Sequence, residues 1–112
     1  MSMPEFNKMM THEIQLIKRT KNESGDFSNL STTKSKAFVQ YGNHLIEKEN
    51  GEIFKAIAIV FLNDSIVIDI SHPYWFINQT KPYIRSGMEV LKVDPIDDPR
   101  NGKIHHYELF VR

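Results

Sequence analysis

The residues best suited to chemistry lie near the C-terminus, where two adjacent histidines follow a group of acids. The histidines are His105 and His106, and the carboxylates near them are Asp94, Asp97, Asp98 and Glu108. Imidazole and carboxylate groups are the usual ligands of zinc and magnesium and the usual bases of hydrolases. If His105, His106 and the Asp97–Asp98 pair converge, the chain is a metal-dependent nuclease or another hydrolase.

The elements that must position these side chains argue against that chemistry. The alternation through Ile104–Val111 predicts a strand, in which neighbouring side chains point to opposite faces, so His105 and His106 are not expected to chelate one metal. The acids fall in residues 94–102, where Asp is favoured because its side chain caps the backbone of turns. Pro95 and Pro99 are expected to stop any ladder there. We therefore expect structural histidines and turn-forming acids, with no catalytic, metal-binding or cofactor-binding residue.

Other catalytic signatures are missing from the sequence. There is no cysteine, which excludes disulfides, thiolate metal sites and a cysteine nucleophile. Ser28, Ser31 and Ser71 lie in no nucleophile-elbow context, and the five glycines are isolated from one another. The chain is not expected to be an enzyme.

Composition describes an ordinary globular domain. The 112 residues are 40% hydrophobic and 25% charged, and 14 basic residues balance 14 acidic ones. A protein that binds duplex DNA through phosphate contacts usually has a basic excess, which is missing here. The longest apolar run, residues 56–62, is too short to span a membrane, and the first ten residues do not resemble a signal peptide.

Period-two alternation predicts an all-β fold, either a small antiparallel barrel or a sandwich, with one long hairpin and mobile loops. Residues 1–10 are interpreted as an N-terminal arm and residues 11–112 as a single β domain. Six or so strands are expected, over residues 11–20, 37–49, 52–62, 89–93 and 104–111 and in the β-branched run of residues 65–70, after which Pro73 is expected to stop the ladder. The polar residues 21–34 show no period and are expected to form a mobile surface loop.

The long hairpin is centred on Asn50-Gly51, a pair that favours a type I′ turn because both residues tolerate positive φ. Gly42-Asn43 is expected to bend or bulge the outgoing strand. The tip is expected either to face a lumen or partner or to be a solvated turn, and it consists of Glu47, Lys48, Glu49, Asn50, Gly51 and Glu52.

The returning strand is apolar on both faces, which indicates a central strand or one that meets another subunit. The candidate subunit-interface residues are Ile57, Ile59, Phe61, Tyr74, Trp75 and Phe76. Three consecutive aromatic residues, Tyr74 to Phe76, cannot all face inward from one strand. They suggest an alternative in which an OB-like module stacks single-stranded nucleic acid on these rings.

The order of these features resembles the head-completion proteins of tailed bacteriophages, which include head–tail joining, connector and minor capsid proteins. The resemblance is sharpest near the C-terminus and is looser over residues 12–112. Its residues are Gly87, Val90, Leu91, Lys92, Val93, Asp94, Pro95, Gly102, His105, His106, Tyr107 and Glu108, with an opening strand similar to Ile17, Lys18, Arg19 and Thr20. The aromatic run and prolines within residues 66–83 depart from the family pattern.

The resemblance implies a structural role. Members of that family form a homo-oligomeric ring beneath the portal, close the DNA channel after packaging and provide the docking surface for the tail. The implied partners are a portal or adaptor protein and a tail-completion protein, and packaged DNA passes nearby without specific binding. The implied location is the head–tail connector of the virion, after assembly in the host cytoplasm. A subunit that forms rings only on its portal template is a monomer when free.

Overall fold

A computed structural model describes residues 8–48, 50–80 and 87–112 of the chain. Six antiparallel strands close into a barrel in the order β1, β2, β3, β6, β5 and β4, with β4 pairing back to β1. The strands are β1 (His12–Lys21), β2 (Phe27–Glu47), β3 (Ile53–Asn63), β4 (Tyr74–Asn78), β5 (Met88–Asp97) and β6 (Ile104–Val111). The predicted all-β fold is confirmed, and of the two predicted architectures, a barrel or a sandwich, the structure is the barrel. Most of the predicted arm, residues 1–7, lies outside the described residues, and no helix within them is long and apolar enough to cross a membrane.

The core is built by alternation along the strands, as the sequence predicts. Ala58, Val60 and Leu62 of β3 are fully buried, while Ile59 and Phe61 between them face outward and are half-buried. The same alternation buries Ile14 and Leu16 of β1, Ala37 and Val39 of β2, Phe76 of β4, and Tyr107, Leu109 and Val111 of β6. All six strands contribute to one core cluster, to which β5 adds Met88.

Strand β2 joins the two halves of the barrel because it changes partners halfway along its length. Residues up to Ala37 pair with β1, and residues from Phe38 onward pair with β3. The register shifts between Tyr41 and His44, which confirms the bulge predicted at Gly42-Asn43. A bulge bends and twists the strand that carries it, so β2 can follow the curve of the barrel.

The prediction of a mobile loop over residues 21–34 is wrong. Only residues 22–26 form a turn, and β2 already begins at Phe27. The segment pairs with β1 from Lys21↔Phe27 to Gln15↔Lys34, so its backbone is held by the ladder. Its side chains are exposed on both faces, and the sequence therefore lacks the apolar alternation that reveals a half-buried strand.

The β2–β3 hairpin exists, but its turn is not type I′. Gly51 has a positive φ of 82°, but no described residue other than glycine has one. Asn50 therefore does not have the positive φ that a type I′ turn requires. Gly51 N–H donates to the Lys48 carbonyl and Lys48 N–H donates to the Glu52 carbonyl. This is the hydrogen-bonding pattern of a longer hairpin loop that ends in a glycine with positive φ. Glu49, in the same loop, lies outside the described residues.

The expectation that no ladder crosses Pro95 is also wrong. Strand β5 continues to Asp97, with Pro95 opposite Tyr107 of β6. Strand β4 pairs with β5 only at Met88 and Glu89, so the other edge of β5 beyond Glu89 carries no described strand. A proline is tolerated on such an edge because its missing N–H interrupts no ladder.

A bulge at Leu91 changes which residues of β5 face the core. It shifts Val93 to the inward side with Met88 and Val90.

The β-branched run of residues 65–70 forms an irregular cap where β3 ends and β4 begins. Ile66 and Ile68 are buried in the core cluster, while Val67 and Ile70 point to solvent. Asp69 fastens the cap: its carboxylate pairs with Lys18 Nζ at 3.2 Å, and its N–H donates to the Tyr74 hydroxyl at 3.0 Å. Hydrogen bonds from Ser71, followed by the contact with Lys18, lower the pKa of Asp69 to about 2.

Glycine is required at position 87 because the Trp75 indole occupies the space of a side chain. A Cβ built on Gly87 would lie 1.5 Å from Trp75 Nε1. We expect Gly87→Ala to destabilise the protein by about 1–3 kcal/mol, the usual range for overpacking. Chemical denaturation followed by far-UV circular dichroism measures this, because that signal does not depend on Trp75, the single tryptophan.

A double-mutant cycle with Trp75→Ala is the control for this prediction. Once the indole is removed, Gly87→Ala should cost much less than it does in the native background. An equal cost in both backgrounds would show that the space around the indole does not explain the need for glycine.

Candidate functional site

Two pairs of exposed aliphatic side chains lie in the segments that flank β3 in the sequence, one in the β2–β3 hairpin and one between β3 and β4. At the start of β3, Ile53 is 65% exposed and Leu45 of β2 is 79% exposed. The register places Leu45 opposite Lys55 and Glu47 opposite Ile53, so the two aliphatic groups are diagonal neighbours on one face of the hairpin. Beyond the far end of β3, Val67 is 88% exposed and Ile70 is 72% exposed.

The other side of the hairpin rests on β5. Lys92 Nζ donates to the Glu47 carbonyl at 3.4 Å, and Lys48 Nζ lies 4.9 Å from the centre of the Phe54 ring. Ile46 and Phe54 are half-buried, in contrast to Leu45 and Ile53. The hairpin is therefore supported from one side and presents its aliphatic pair on the other.

The predicted tip residues are solvent-facing in the described structure. Glu47, Asn50, Gly51 and Glu52 are exposed, and Lys48 is half-buried against Phe54. Asn50 Oδ1 accepts a hydrogen bond from the Glu52 N–H, which closes the turn. Sequence reasoning located this tip but missed Leu45 and Ile53 beside it. The sequence did contain an indication of their exposure. Both residues lie close to the hairpin turn, outside the part of β3 whose inward side chains fill the core.

Among the predicted interface residues, Ile57, Ile59 and Phe61 alternate with the buried residues of β3 and are half-buried, and Ile57 also packs against the core cluster. The Phe61 ring packs against Phe38 of β2 with centroids 5.7 Å apart, and its other neighbour is His106 of β6 at 6.3 Å. Phe61 thus belongs to an apolar outer face that crosses β2, β3 and β6.

The three aromatic residues of β4 do not form one platform. Phe76 is fully buried in the barrel, so its assignment to an interface is wrong, because strand alternation turns it inward. Tyr74 faces the same way and accepts a hydrogen bond from Asp69 N–H. Trp75 alone faces outward, where it lies beside Gly87 and 5.2 Å from the Arg19 guanidinium. Consecutive stacking of bases on Tyr74, Trp75 and Phe76 is excluded.

The two histidines do meet, contrary to the expectation from simple alternation. His105 is an extra residue in the pairing of β6 with β5, since Ile104 faces Asp97 and His106 faces Ile96. The bulge re-aims the His105 side chain. The Nδ1 atoms of His105 and His106 are 2.8 Å apart, and His106 Nε2 lies 3.0 Å from Glu108 Oε2. One Nδ1 atom therefore donates to the other, and the two rings form a hydrogen-bonded pair beside a carboxylate.

The acids of the β5–β6 turn are structural. Asp98 is 5% exposed, and its carboxylate accepts from Arg100 Nε at 3.1 Å, Nη2 at 2.9 Å and the backbone N–H at 3.0 Å. These hydrogen bonds lower the pKa of Asp98 to about 2 and raise that of Arg100. Asp97 is exposed and Asp94 pairs with Lys92 at 3.7 Å. In the described ranges no three His, Asp or Glu side chains converge as a metal site would require.

Comparisons of sequence and structure find no matching protein family, curated protein or solved structure.

The Asp98–Arg100 clamp gives a pH-dependent prediction. Because folding lowers the pKa of Asp98 from 3.8 to about 2, the ionised carboxylate stabilises the folded state above pH 4 and loses this effect as the pH falls towards 2. We expect Asp98→Asn to lower the melting temperature at pH 7, and the difference from the native chain to shrink between pH 4 and pH 2.

Asp97→Asn is the matched control, since it removes the same charge from an exposed neighbour. It should leave the melting temperature nearly unchanged throughout. If the two variants behaved alike, or if the Asp98→Asn difference stayed constant down to pH 2, the clamp would not be the stabilising contact.

Proposed function

We propose that the chain is a structural joining protein of the head–tail connector of a tailed bacteriophage. The observation that carries this proposal is the presence of two separate pairs of exposed aliphatic side chains, Leu45 with Ile53 in the β2–β3 hairpin and Val67 with Ile70 between β3 and β4. A subunit that links two different neighbours needs two attachment surfaces. Exposed apolar side chains grouped in this way favour protein contacts.

Each pair lies on a supported segment. The Val67–Ile70 segment is anchored, because Ile66 and Ile68 are buried in the core and Asp69 is held by Lys18. The Leu45–Ile53 segment is supported by β5 through Lys92. Side chains on such supported segments lose little conformational entropy on binding, which favours affinity.

The side of the barrel supplies a third surface, suited to neighbouring copies in a ring. Ile57, Ile59 and Phe61 alternate with the buried residues of β3 and are half-buried in the single chain. A closed ring needs head-to-tail contacts, in which a patch on one copy meets a different patch on the next. This set of residues is our candidate for one side of that contact.

The hairpin tip fits a position close to passing DNA. Glu47 and Glu52 are exposed there, and carboxylates repel phosphate, which suits a passage that does not grip its cargo. The sequence resemblance at the C-terminus adds the identities of the expected neighbours, a portal or adaptor protein and a tail-completion protein. It also supports closure of the DNA channel by the ring.

Complementation of a phage with a nonsense mutation in this gene tests the proposal. The native chain, supplied from a plasmid, should restore infectious particles. Leu45→Asp and Val67→Asp should each reduce the yield by at least about 100-fold, because an unpaired charge buried in a contact costs several kcal/mol. Electron microscopy should show that the two variants block assembly at different steps. In one, the head lacks this protein; in the other, the head carries this protein but no tail is attached.

Leu30→Asp is the matched control for Leu45→Asp. Leu30 is also an exposed leucine of β2, at 53%, but it belongs to neither aliphatic pair. It should complement fully. Normal virions from the nonsense mutant alone, or full complementation by both Leu45→Asp and Val67→Asp, would rule out the joining role.

A further inference from the structure

One outer face of the barrel carries a concentration of positive charge that the neutral composition conceals. The face is formed by β1 and the first half of β2, and its cations are Arg19, Lys21, Lys34 and Lys36. Burial of Ile14 and Leu16 turns Arg19 and Lys21 outward. The register places Lys34 opposite Gln15 and Lys36 opposite Glu13, so both lysines share that outward side. We call this surface the basic face.

No ion pair neutralises the cations of the basic face. Within the described residues, none of the four cations forms an ion pair, whereas Lys18, Lys92 and Arg100 each do. Glu13, opposite Lys36, is the one carboxylate that these two paired strands direct outward, and Glu23 and Asp26 lie in the turn that joins the strands. The two strands therefore present four cations and one acid on this side.

Aromatic rings are interleaved with the cations at one end of the face. The Arg19 guanidinium lies 4.4 Å from the centre of the Phe27 ring and 5.2 Å from that of Trp75. Lys21 Nζ lies 5.5 Å from the same Phe27 ring. Phe27 is 43% exposed, so part of its ring remains open to a ligand. These contacts hold the arginine in place while the ring beside it faces solvent.

We propose that the basic face binds single-stranded nucleic acid through its phosphate backbone, with Phe27 stacking on an unpaired base. Side chains two positions apart on a strand are about 6.6 Å from one another, and the face extends about 27 Å from Lys36 to Lys21. A row of cations on this scale suits a chain that carries one negative charge per nucleotide. An exposed aromatic ring among the cations distinguishes this surface from a general polyanion site. The ring can stack on a base while the cations bind the phosphates.

The proposal differs from stacking on the β4 aromatic residues, since Phe76 and Tyr74 face inward. It also goes beyond the joining role, and it requires no base-specific contact. Backbone recognition of this type is strongly dependent on salt and tolerant of sequence.

Fluorescence anisotropy with a labelled oligothymidine of about 12 nucleotides tests the proposal at ~50 mM salt. The native chain should bind, and Lys34→Gln/Lys36→Gln should weaken binding more than about tenfold and reduce the slope of log K against log salt by about 1.4, or 0.7 per lost phosphate contact. Phe27→Leu should weaken single-strand binding several-fold, and duplex of the same length should bind less tightly than the single strand.

Lys55→Gln/Lys103→Gln is the control, since it removes the same charge from exposed lysines outside the basic face. It should retain nearly native affinity and salt slope. The proposal is overturned if the native chain does not bind at ~50 mM salt, if the control double variant loses as much affinity as the test variant, or if duplex binds as tightly as the single strand.

Discussion

Closure of the barrel depends on the change of partner within β2. A straight strand of 21 residues spans about 70 Å, whereas the longest dimension of the molecule is 44 Å. The strand therefore has to curve, and it does so by leaving β1 at Ala37, joining β3 at Phe38 and bulging after Tyr41. Because of this curve, one half of β2 carries Lys34 and Lys36 on the basic face, and the other half carries Phe38 and Leu45 on the apolar side. Two chemically different surfaces thus result from one continuous strand.

Much of this fold could be predicted from period-two patterns, but only where one face of a strand is buried. The inward residues of β1, β3 and β6 and the Gly42-Asn43 bulge follow from the sequence. Residues 27–36 could not be recognised as a strand, because they are exposed on both sides and are held by backbone pairing alone. The prediction that Pro95 stops the ladder failed for a related reason. Pro95 lies on an edge of β5 without a described partner strand, and which edge is unpaired depends on the pairing of distant segments.

The candidate sites were less predictable than the core because they depend on tertiary placement. His105 meets His106 through a bulge that no local pattern announces. Phe76 is buried while Val67 is exposed, although both lie in strongly apolar stretches. Asn50-Gly51 located the hairpin tip, but the neighbouring Leu45 and Ile53 were not predicted to be exposed. Their exposure depends on the tertiary structure, in which this part of the hairpin extends beyond the core. Sequence order suggested an assembly protein, and the structure adds the surfaces through which we propose that it assembles.

The central claim is that the two exposed aliphatic pairs, Leu45 with Ile53 and Val67 with Ile70, are buried when the chain joins its neighbours. The absence of native cysteine allows each position to be labelled alone, using Leu45→Cys, Val67→Cys and Leu30→Cys variants incorporated into virions. Maleimide reactivity should be suppressed at positions 45 and 67 in the intact particle and recovered on dissociation, while position 30 reacts in both states. Equal reactivity of all three positions in intact particles would contradict the account.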